Sequence, residues 1–216
     1  MLLRKYQRQN ILQMRPPPRN LKLTVVGDKC VGKTCLLKTY VYNTFPPGPY
    51  VSTVFPYLPD EEYVYSRAID YSGTPLLLAM WDRVHSAKDD SIRPLQYDQT
   101  DIFLLCFDVT NKTSFENVLT IWKPEIRKYC SKSRCLLVGL KKDLAPCVTR
   151  SMGNDLAHRV GAVAYRECSA KTKDGLKQVF AVAVQTAMGS PPSPPIKKKG
   201  RFKLCDSRLR RLIRLL

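Results

Sequence analysis

The stretch of sequence that decides the fold runs Gly27-Asp28-Lys29-Cys30-Val31-Gly32-Lys33-Thr34. Its spacing, G-x-x-x-x-G-K-T, is that of a phosphate-binding loop, and it lies between an apolar run at residues 21–26 and a helical pattern at residues 33–43. In such a loop, successive backbone N–H groups and the N-terminus of the following helix surround phosphate groups. The Lys33 side chain reaches the terminal phosphates, and the Thr34 hydroxyl ligates Mg²⁺. This stretch therefore predicts a nucleotide-binding α/β protein.

Apolar runs and helical patterns alternate along the chain beyond this loop. Strands are predicted at residues 21–26, 63–71, 76–81, 101–109, 134–139 and 162–168, and helices at residues 114–130, 148–160 and 174–188. The runs at 101–109 and 134–139 are continuously apolar, as in strands buried on both faces of a parallel sheet. The Ser-Gly turn at residues 71–74 predicts an antiparallel pair. We expect a mostly parallel six-stranded sheet with helices on both faces.

Charge and proline content divide the 216 residues into three parts. The formal charge is +18, with 36 Lys and Arg against 18 Asp and Glu, and much of this excess lies near the two ends. Residues 1–20 are predicted to be a disordered, basic, Pro-rich extension, residues 21–189 the nucleotide-binding domain, and residues 190–216 a Pro-rich linker with a basic amphipathic tail. Basic tails indicate an anionic surface as partner.

The cysteines and the apolar segments indicate a compartment. The eight cysteines contain no C-x-x-C pair and are scattered over predicted strands, helices and loops, which favours reduced thiols over a disulfide framework. No signal peptide is evident, and no run approaches the roughly 20 apolar residues that a membrane-spanning helix needs. We therefore expect a cytoplasmic protein.

The phosphate loop by itself does not distinguish ATP from GTP. A second motif, Leu140-Lys141-Lys142-Asp143, follows a buried strand, so that Asp143 lies at a carboxyl strand end, where ligands bind in open α/β sheets. A carboxylate there accepts hydrogen bonds from guanine N1 and the 2-amino group, and the Lys141 stem can cover the base. Together with the later Cys168-Ser169-Ala170-Lys171, this motif favours a guanine site over a solvated charge cluster.

These motifs, taken with several further blocks, resemble the Rho family of small GTPases over about residues 20–189. The blocks are Tyr50-Val51-Ser52-Thr53-Val54-Phe55, Ser114-Phe115-Glu116-Asn117-Val118 and the W-x-P-E-I run at residues 122–126. The resemblance implies the G-domain fold of the P-loop NTPases. It also implies a GTP-dependent switch that recruits effectors in signalling to actin and cell shape.

The resemblance also implies the site residues. GTP or GDP would contact Gly27, Asp28, Lys29, Cys30, Val31, Gly32, Lys33, Thr34, Cys35, Phe45, Tyr50, Thr53, His85, Lys141, Asp143, Ser169, Ala170 and Lys171. Mg²⁺ would be held by Thr34, Thr53 and Asp82. Effectors would bind the switch regions at residues 50–55 and 82–97, and the protein would be a monomer.

At three positions that the family uses in GTP hydrolysis, this chain has a different residue. Lys29 replaces a glycine, and its side chain either obstructs the attacking water and an activator's arginine or leans on the phosphates and tightens binding. Ser86 replaces the water-orienting glutamine, and His85 replaces a glycine. His85 as a substitute general base is an alternative to a surface histidine. No catalytic residue is assigned, and these losses are similar to those of the atypical Rnd group, which stays GTP-loaded.

Two differences concern the base and the partners. Leu140 stands where the family has threonine or asparagine, which removes one polar contact near the base and is expected to cost about 1 kcal/mol. The segment from Asp143 to Ser169 is shorter than in typical Rho proteins, so we expect the family's inserted helix to be absent. Partners that read that helix are not expected to bind.

The C-terminal tail lacks the C-a-a-X box that Rho proteins usually carry. Apolar residues recur there at helical spacing among arginines, which predicts an in-plane helix on an anionic membrane, and Cys205 in the apolar stripe can carry a palmitoyl chain. A disordered tail, a protein partner and nucleic acid are the alternatives, of which nucleic acid is not expected. For the whole chain, the alternatives to a persistently GTP-bound protein are a nucleotide-independent scaffold and a cycling GTPase.

Overall fold

The computed structural model describes residues 18–48, 64–82 and 96–189. Six strands form one sheet in the order β2-β3-β1-β4-β5-β6. The strands are β1 (Arg19–Val26), β2 (Val64–Tyr71), β3 (Thr74–Asp82), β4 (Ile102–Asp108), β5 (Arg134–Leu140) and β6 (Tyr165–Glu167). Only β2 and β3 pair antiparallel, and all other neighbours are parallel. The predicted α/β fold is therefore confirmed.

The helices follow the strands in the expected alternation. They are α1 (Lys33–Tyr42), α2 (Lys112–Asn117), α3 (Lys123–Tyr129), α4 (Arg150–Arg159) and α5 (Leu176–Ala187). Between α2 and α3, Val118–Trp122 forms a π-helical turn. The helix predicted at residues 114–130 thus begins earlier, at Lys112, and contains a wide turn that the apolar periodicity does not indicate.

All six strands differ from their predicted bounds by at least one residue, and β1 and β6 show why. β1 begins at Arg19, earlier than predicted, because Arg19 and Asn20 pair with Leu76 and Leu77 of β3. β6 covers only Tyr165–Glu167, whereas the pattern predicts residues 162–168. The residues before β6 meet β5 through separate backbone hydrogen bonds, such as Val163 N–H to the Cys135 carbonyl, but enter the paired register only at Tyr165.

Hydrophobic side chains bury both faces of the sheet. All seven residues of β4 are buried, as a central strand covered on both sides requires. One cluster joins the sheet to α1 and α5, where Tyr40 stacks on Phe180 with ring centroids 3.6 Å apart. The other joins it to α4 and to the helical run at residues 112–129, through Phe107 and Trp122. The phosphate loop follows β1 and the guanine motif begins at the last residue of β5, so both lie at carboxyl ends of parallel strands.

A glycine inside α4 makes room for one aromatic ring. A Cβ on Gly153 would lie 2.2 Å from Cε1 of Tyr165, so any larger residue would overlap the ring. The Tyr165 ring stacks on Phe107, with centroids 6.0 Å apart, and its hydroxyl donates to Glu167 Oε1 at 2.9 Å. Gly153 therefore lets α4 pack closely on β6.

Two observations bear on compartment and modification. The cysteines in the described ranges, Cys30, Cys35, Cys106, Cys130, Cys135, Cys147 and Cys168, are all free thiols. In the same ranges, no helix combines the length and the apolar character that crossing a bilayer demands. Cys205 and the predicted amphipathic tail lie outside the described residues.

Candidate nucleotide site

The phosphate-binding loop lies at the carboxyl end of β1 and continues into α1. Gly27 has φ 151°, and a Cβ there would lie 2.1 Å from the Cys106 carbonyl oxygen, so only glycine lets the loop pass over β4. Gly32, with φ 108°, precedes α1, and no side chain caps the helix. The helix therefore begins without a capping side chain at Gly32, as helix starts that bind anions do.

Lys33 is folded back into this loop. Its side chain is buried, and its ammonium donates to the Gly27 carbonyl at 2.9 Å and to the Asp28 carbonyl at 2.6 Å. The ammonium therefore lies inside the curve of the loop. This is the position from which the predicted contact with terminal phosphates can be made.

The Asp28 side chain accepts hydrogen bonds from the helical run at residues 112–129. Its Oδ1 accepts a hydrogen bond from the Trp122 indole Nε1–H at 2.6 Å, and its Oδ2 accepts one from the Asn117 amide at 2.7 Å. In the sequence, Asn117 and Trp122 appear only within the blocks that carry the family resemblance, and their contact with Asp28 is not predicted. No local signal in the sequence indicates it, because the partners lie far apart along the chain.

Two of the predicted metal ligands are brought together. The Thr34 hydroxyl donates to Asp82 Oδ2 at 2.5 Å, and Asp82, at the end of β3, is buried. A hydroxyl and a carboxylate suit Mg²⁺, which takes few protein ligands and completes its shell with phosphate oxygens and water. Across the described ranges, no group of three or more His, Cys, Asp or Glu side chains forms a metal cage. The third predicted ligand, Thr53, lies outside these ranges.

The two cysteines of the loop differ in environment. Cys30 is exposed and has a positive φ of 61°. Cys35, in the first turn of α1, is half-buried, and burial raises the pKa of its thiol, with the nearby Asp82 carboxylate adding to the effect. Cys35 therefore stays protonated at neutral pH, and the protonated thiol is the less reactive form.

The predicted guanine motif packs directly against the phosphate loop. A Cβ on Gly32 would lie 3.8 Å from Leu140 Cδ1 and 3.9 Å from Lys141 Cε, in ordinary contact. The Lys141 ammonium forms an ion pair with Asp108, with Nζ 2.7 Å from Oδ2. The structure thus brings the Lys141 stem beside the loop, as a lysine that covers a base requires.

Asp143 and Phe45 are both solvent-accessible. Asp143 is exposed, and its carboxylate makes no hydrogen bond or ion pair with the described part of the chain. Phe45 is 39% exposed. Both side chains are therefore available to a base, the carboxylate as an acceptor and the ring as an apolar contact.

One backbone hydrogen bond joins the third motif to the guanine motif, and a lysine side chain just after the third motif reaches the end of α1. The Lys142 N–H donates to the Cys168 carbonyl at 3.2 Å, and the Lys173 ammonium donates to the Asn43 carbonyl, just beyond α1, at 2.7 Å. Ser169 is buried, and its hydroxyl accepts from the Thr172 N–H at 3.0 Å. Ala170 and Lys171 lie on the same loop, which carries them to the predicted base edge.

Lys29 lies at the outer turn of the phosphate loop. Its side chain is exposed, and its ammonium has no hydrogen-bond or ion-pair partner in the described ranges. Cys30 and Val31 complete the turn, and Val31 points into the core. Lys29, which no side chain of the described ranges pairs, thus lies next to the place where the phosphates of a nucleotide are expected.

Several predicted residues fall outside the described ranges. Tyr50, Thr53, His85 and Ser86 belong to this group, as do residues 190–216, so their roles stay predictions. Tyr97, at the end of the second predicted effector segment, is fully buried, and its hydroxyl donates to Glu125 Oε1 at 2.6 Å. An effector surface would therefore have to end before Tyr97.

Comparison with known proteins indicates the same family as the sequence motifs, over most of the chain. Residues 22–189 match the model of the Ras family. The Ras-like GTP-binding protein RHO1 of Entamoeba histolytica is 41% identical over 178 residues, which are 81% of this chain and 79% of that protein. The Rho-related protein racC of the same organism is 40% identical over 194 residues, 83% of this chain and 95% of that protein. The GTP-binding protein RHO4 of Saccharomyces cerevisiae is 38% identical over 197 residues, 87% of this chain and 65% of that protein.

Proposed function

This chain belongs to the Ras family and, within it, to the Rho-related small GTP-binding proteins, and on that premise we propose that it holds GTP persistently, hydrolyses it slowly or not at all, and recruits effectors. The observation that carries this proposal is Lys29 at the turn of the phosphate loop, which is exposed and has no hydrogen-bond or ion-pair partner among residues 18–48, 64–82 and 96–189. Most of the residues expected to bind the nucleotide are present, whereas positions expected to support hydrolysis carry substitutions. This combination favours retention of GTP over its hydrolysis.

Nucleotide retention is supported by the geometry of the loop. The Lys33 ammonium already lies inside the loop, bonded to two carbonyl oxygens. A triphosphate offers charged oxygens instead, and charge-assisted hydrogen bonds are roughly twice as strong as neutral ones. The start of α1, which has no side-chain cap at Gly32, adds the positive end of the helix dipole.

Magnesium binding is supported by the hydroxyl–carboxylate pair of Thr34 and Asp82. Thr53 is proposed as the third protein ligand. When bound, Mg²⁺ neutralises charge on the phosphate oxygens. The chain itself holds the Thr34 hydroxyl, at the start of α1, next to the Asp82 carboxylate, at the end of β3.

Slow hydrolysis is supported by the position of Lys29. In related proteins a glycine leaves space there for the attacking water and for an activator's arginine, which alone contributes about 10³ to 10⁵ in rate. A lysine fills that space, and its charge attracts the phosphates. Ser86, in place of the water-orienting glutamine, has a hydroxyl too short to act in the same way.

The partners proposed are effector proteins and an anionic membrane. Effectors would meet the switch regions at residues 50–55 and 82–97, and the output would be signalling to actin and cell shape. The basic tail at residues 190–216 would hold a monomer on the cytoplasmic face of a membrane, because clustered arginines are attracted to anionic headgroups. Nucleic acid is not proposed as a partner.

The proposal is tested by identifying the nucleotide that leaves freshly purified protein on denaturation. Chromatography should show GTP at close to one equivalent, and Lys33→Ala protein prepared in parallel should show little nucleotide. Mostly GDP in the parent would favour a cycling GTPase. An empty site in the parent would favour a nucleotide-independent scaffold.

A further inference from the structure

The Asp28 carboxylate is fixed by two N–H donors from one distant helical run. Both donors approach at hydrogen-bond distance, Trp122 at 2.6 Å and Asn117 at 2.7 Å, and each takes a different oxygen. Trp122 is 6% exposed and Asp28 is half-buried, so the bond to Oδ1 is partly shielded from water. Hydrogen bonds to a charged acceptor are stronger than those between neutral groups, and shielding from water strengthens them further.

The π-helical turn explains how two residues five apart can grip one side chain. In a regular α-helix, residues five apart point about 140° away from each other. In a turn closed by i to i+5 hydrogen bonds, such residues lie nearly above one another. The Lys123 N–H donates to the Val118 carbonyl in this pattern, so the wide turn carries Trp122 round to the face of Asn117.

The consequence for the loop is electrostatic as well as mechanical. Asp28 is an anion in a loop that has to accept a far more anionic ligand. Its two bonds direct the carboxylate toward the helical run, while its backbone carbonyl accepts from Lys33 at 2.6 Å inside the loop. Freed from its partners, the carboxylate could turn toward the phosphates or toward the Lys33 ammonium.

We propose that Asn117 and Trp122 are positioning residues for nucleotide binding, which act through Asp28 by holding its carboxylate away from the phosphates and fixing the curve of the loop. This inference rests on nucleotide binding by the loop and is independent of whether GTP persists. The Asp28, Asn117 and Trp122 side chains are called the Asp28 clamp below.

The first test is the rate at which a fluorescent guanine nucleotide leaves the full chain. Trp122→Phe keeps the aromatic packing and removes the N–H donor, and we expect release to accelerate about tenfold or more. Asn117→Leu removes the second donor at similar volume and is expected to act in the same direction. Trp81→Phe, the same chemical change at the other tryptophan, should alter the rate by less than about twofold.

The second test separates action through Asp28 from loss of general packing. Asp28→Asn keeps the shape but removes the charge and one acceptor, so it should by itself accelerate release. In the Asp28→Asn background, Trp122→Phe should add little, because the contact that it breaks is already impaired. Full additivity of the two changes, or release from Trp122→Phe protein at the parent rate, would overturn the proposal.

A third measurement detects the hydrogen bond between Trp122 and Asp28 directly and does not depend on nucleotide exchange. The chain has two tryptophans, so its ¹H–¹⁵N spectrum contains two indole cross-peaks, which Trp81→Phe assigns. Asp28→Asn should move the Trp122 peak and leave the Trp81 peak in place, and an unmoved Trp122 peak counts against the clamp. A parent that bound no nucleotide, yet passed this spectral test, would contradict nucleotide retention and the positioning role while leaving the clamp geometry standing.

Discussion

The Lys141 ammonium lies 2.7 Å from Asp108 Oδ2, so the lysine expected to cover the base is anchored by the last residue of β4. The other oxygen of Asp108 accepts from the Thr110 N–H at 2.9 Å and the Thr110 hydroxyl at 2.7 Å. Asp108 pairs in register with Leu140, which places the carboxylate next to the guanine motif. The ion pair therefore fixes the stem of Lys141 beside Gly32.

Breaking this anchor should weaken nucleotide binding. Asp108→Asn removes the charge from a group whose side chain is only 8% exposed, and we expect affinity for GDP and GTP to fall about threefold to tenfold. Fluorescence titration of the purified variants measures the change. Asp174→Asn is the matched control, because it breaks the exposed pair with Lys142 and should have little effect. Equal effects of the two variants would contradict the anchoring role.

Lys33→Ala should abolish stable nucleotide binding. The variant removes the ammonium that lies inside the loop, and losing a close charge pair with phosphate is expected to lower affinity at least about thirtyfold. Isothermal titration with GDP and Mg²⁺ is the measurement. Lys38→Ala, in the same helix, is the control and should bind as the parent does. Undiminished binding by Lys33→Ala protein would contradict phosphate binding at the loop, and the chain would then share only its fold with the GTP-binding proteins.

Restoring the usual residues should restore hydrolysis. Lys29→Gly opens the turn of the loop, and Ser86→Gln supplies an amide that can orient water, so the double variant should hydrolyse bound GTP at least about tenfold faster than the parent. Single-turnover assays with loaded GTP give the rate for each single variant and the pair. A parent that already turns over GTP as fast as the double variant would exclude the proposed retention.

Thiol labelling should follow the burial of the cysteines. Exposed Cys30 and Cys147 should react first with a maleimide, and buried Cys106 and Cys168 only on unfolding. Cys35 should react slowly at pH 7 and faster as the pH rises, because burial raises its pKa. Mass spectrometry of digests reads each site. Bound nucleotide should protect Cys30 but leave Cys147 unchanged, and equal protection of both would argue against phosphate binding at the loop.

Stability should fall in alkaline solution. Burial raises the pKa of the Cys168 thiol from the usual 9.0 to about 12, so its contribution is fully present below pH 9 and is lost as the pH rises toward 12. The free energy of unfolding should therefore decline by about 1.4 kcal/mol per pH unit for each such thiol in that range. Urea unfolding at pH 8 and 10.5 measures the slope. Cys168→Ala should flatten it, whereas Cys147→Ala, at an exposed site, should not.

The parts of the site that the sequence predicts are those encoded in short stretches. The phosphate loop follows from the spacing between Gly27 and Thr34, and the sheet from continuous apolar runs such as β4, which bury both faces. Thr34 follows from the loop motif and Asp82 from the resemblance, and in the structure the Thr34 hydroxyl lies 2.5 Å from Asp82 Oδ2. Each of these signals is either local or carried by a recognisable family pattern.

The parts that the sequence does not predict are contacts between distant segments. The Asp28 clamp joins a loop residue to Trp122, which lies in a separate helical run, and no periodicity indicates that pairing. The π-helical turn also escapes prediction, because apolar spacing is read against a helix of 3.6 residues per turn. The Lys141–Asp108 pair depends on which strands become neighbours in the sheet.

The close approach of Gly153 to the Tyr165 ring limits how this fold can vary or be improved. Replacing a helical glycine by alanine ordinarily adds about 1 kcal/mol of helix stability, yet here the methyl group would meet the ring at 2.2 Å. A side chain can appear at position 153 only if position 165 shrinks at the same time. In related chains, the two positions should therefore change together, and a stabilising library for α4 has to vary both.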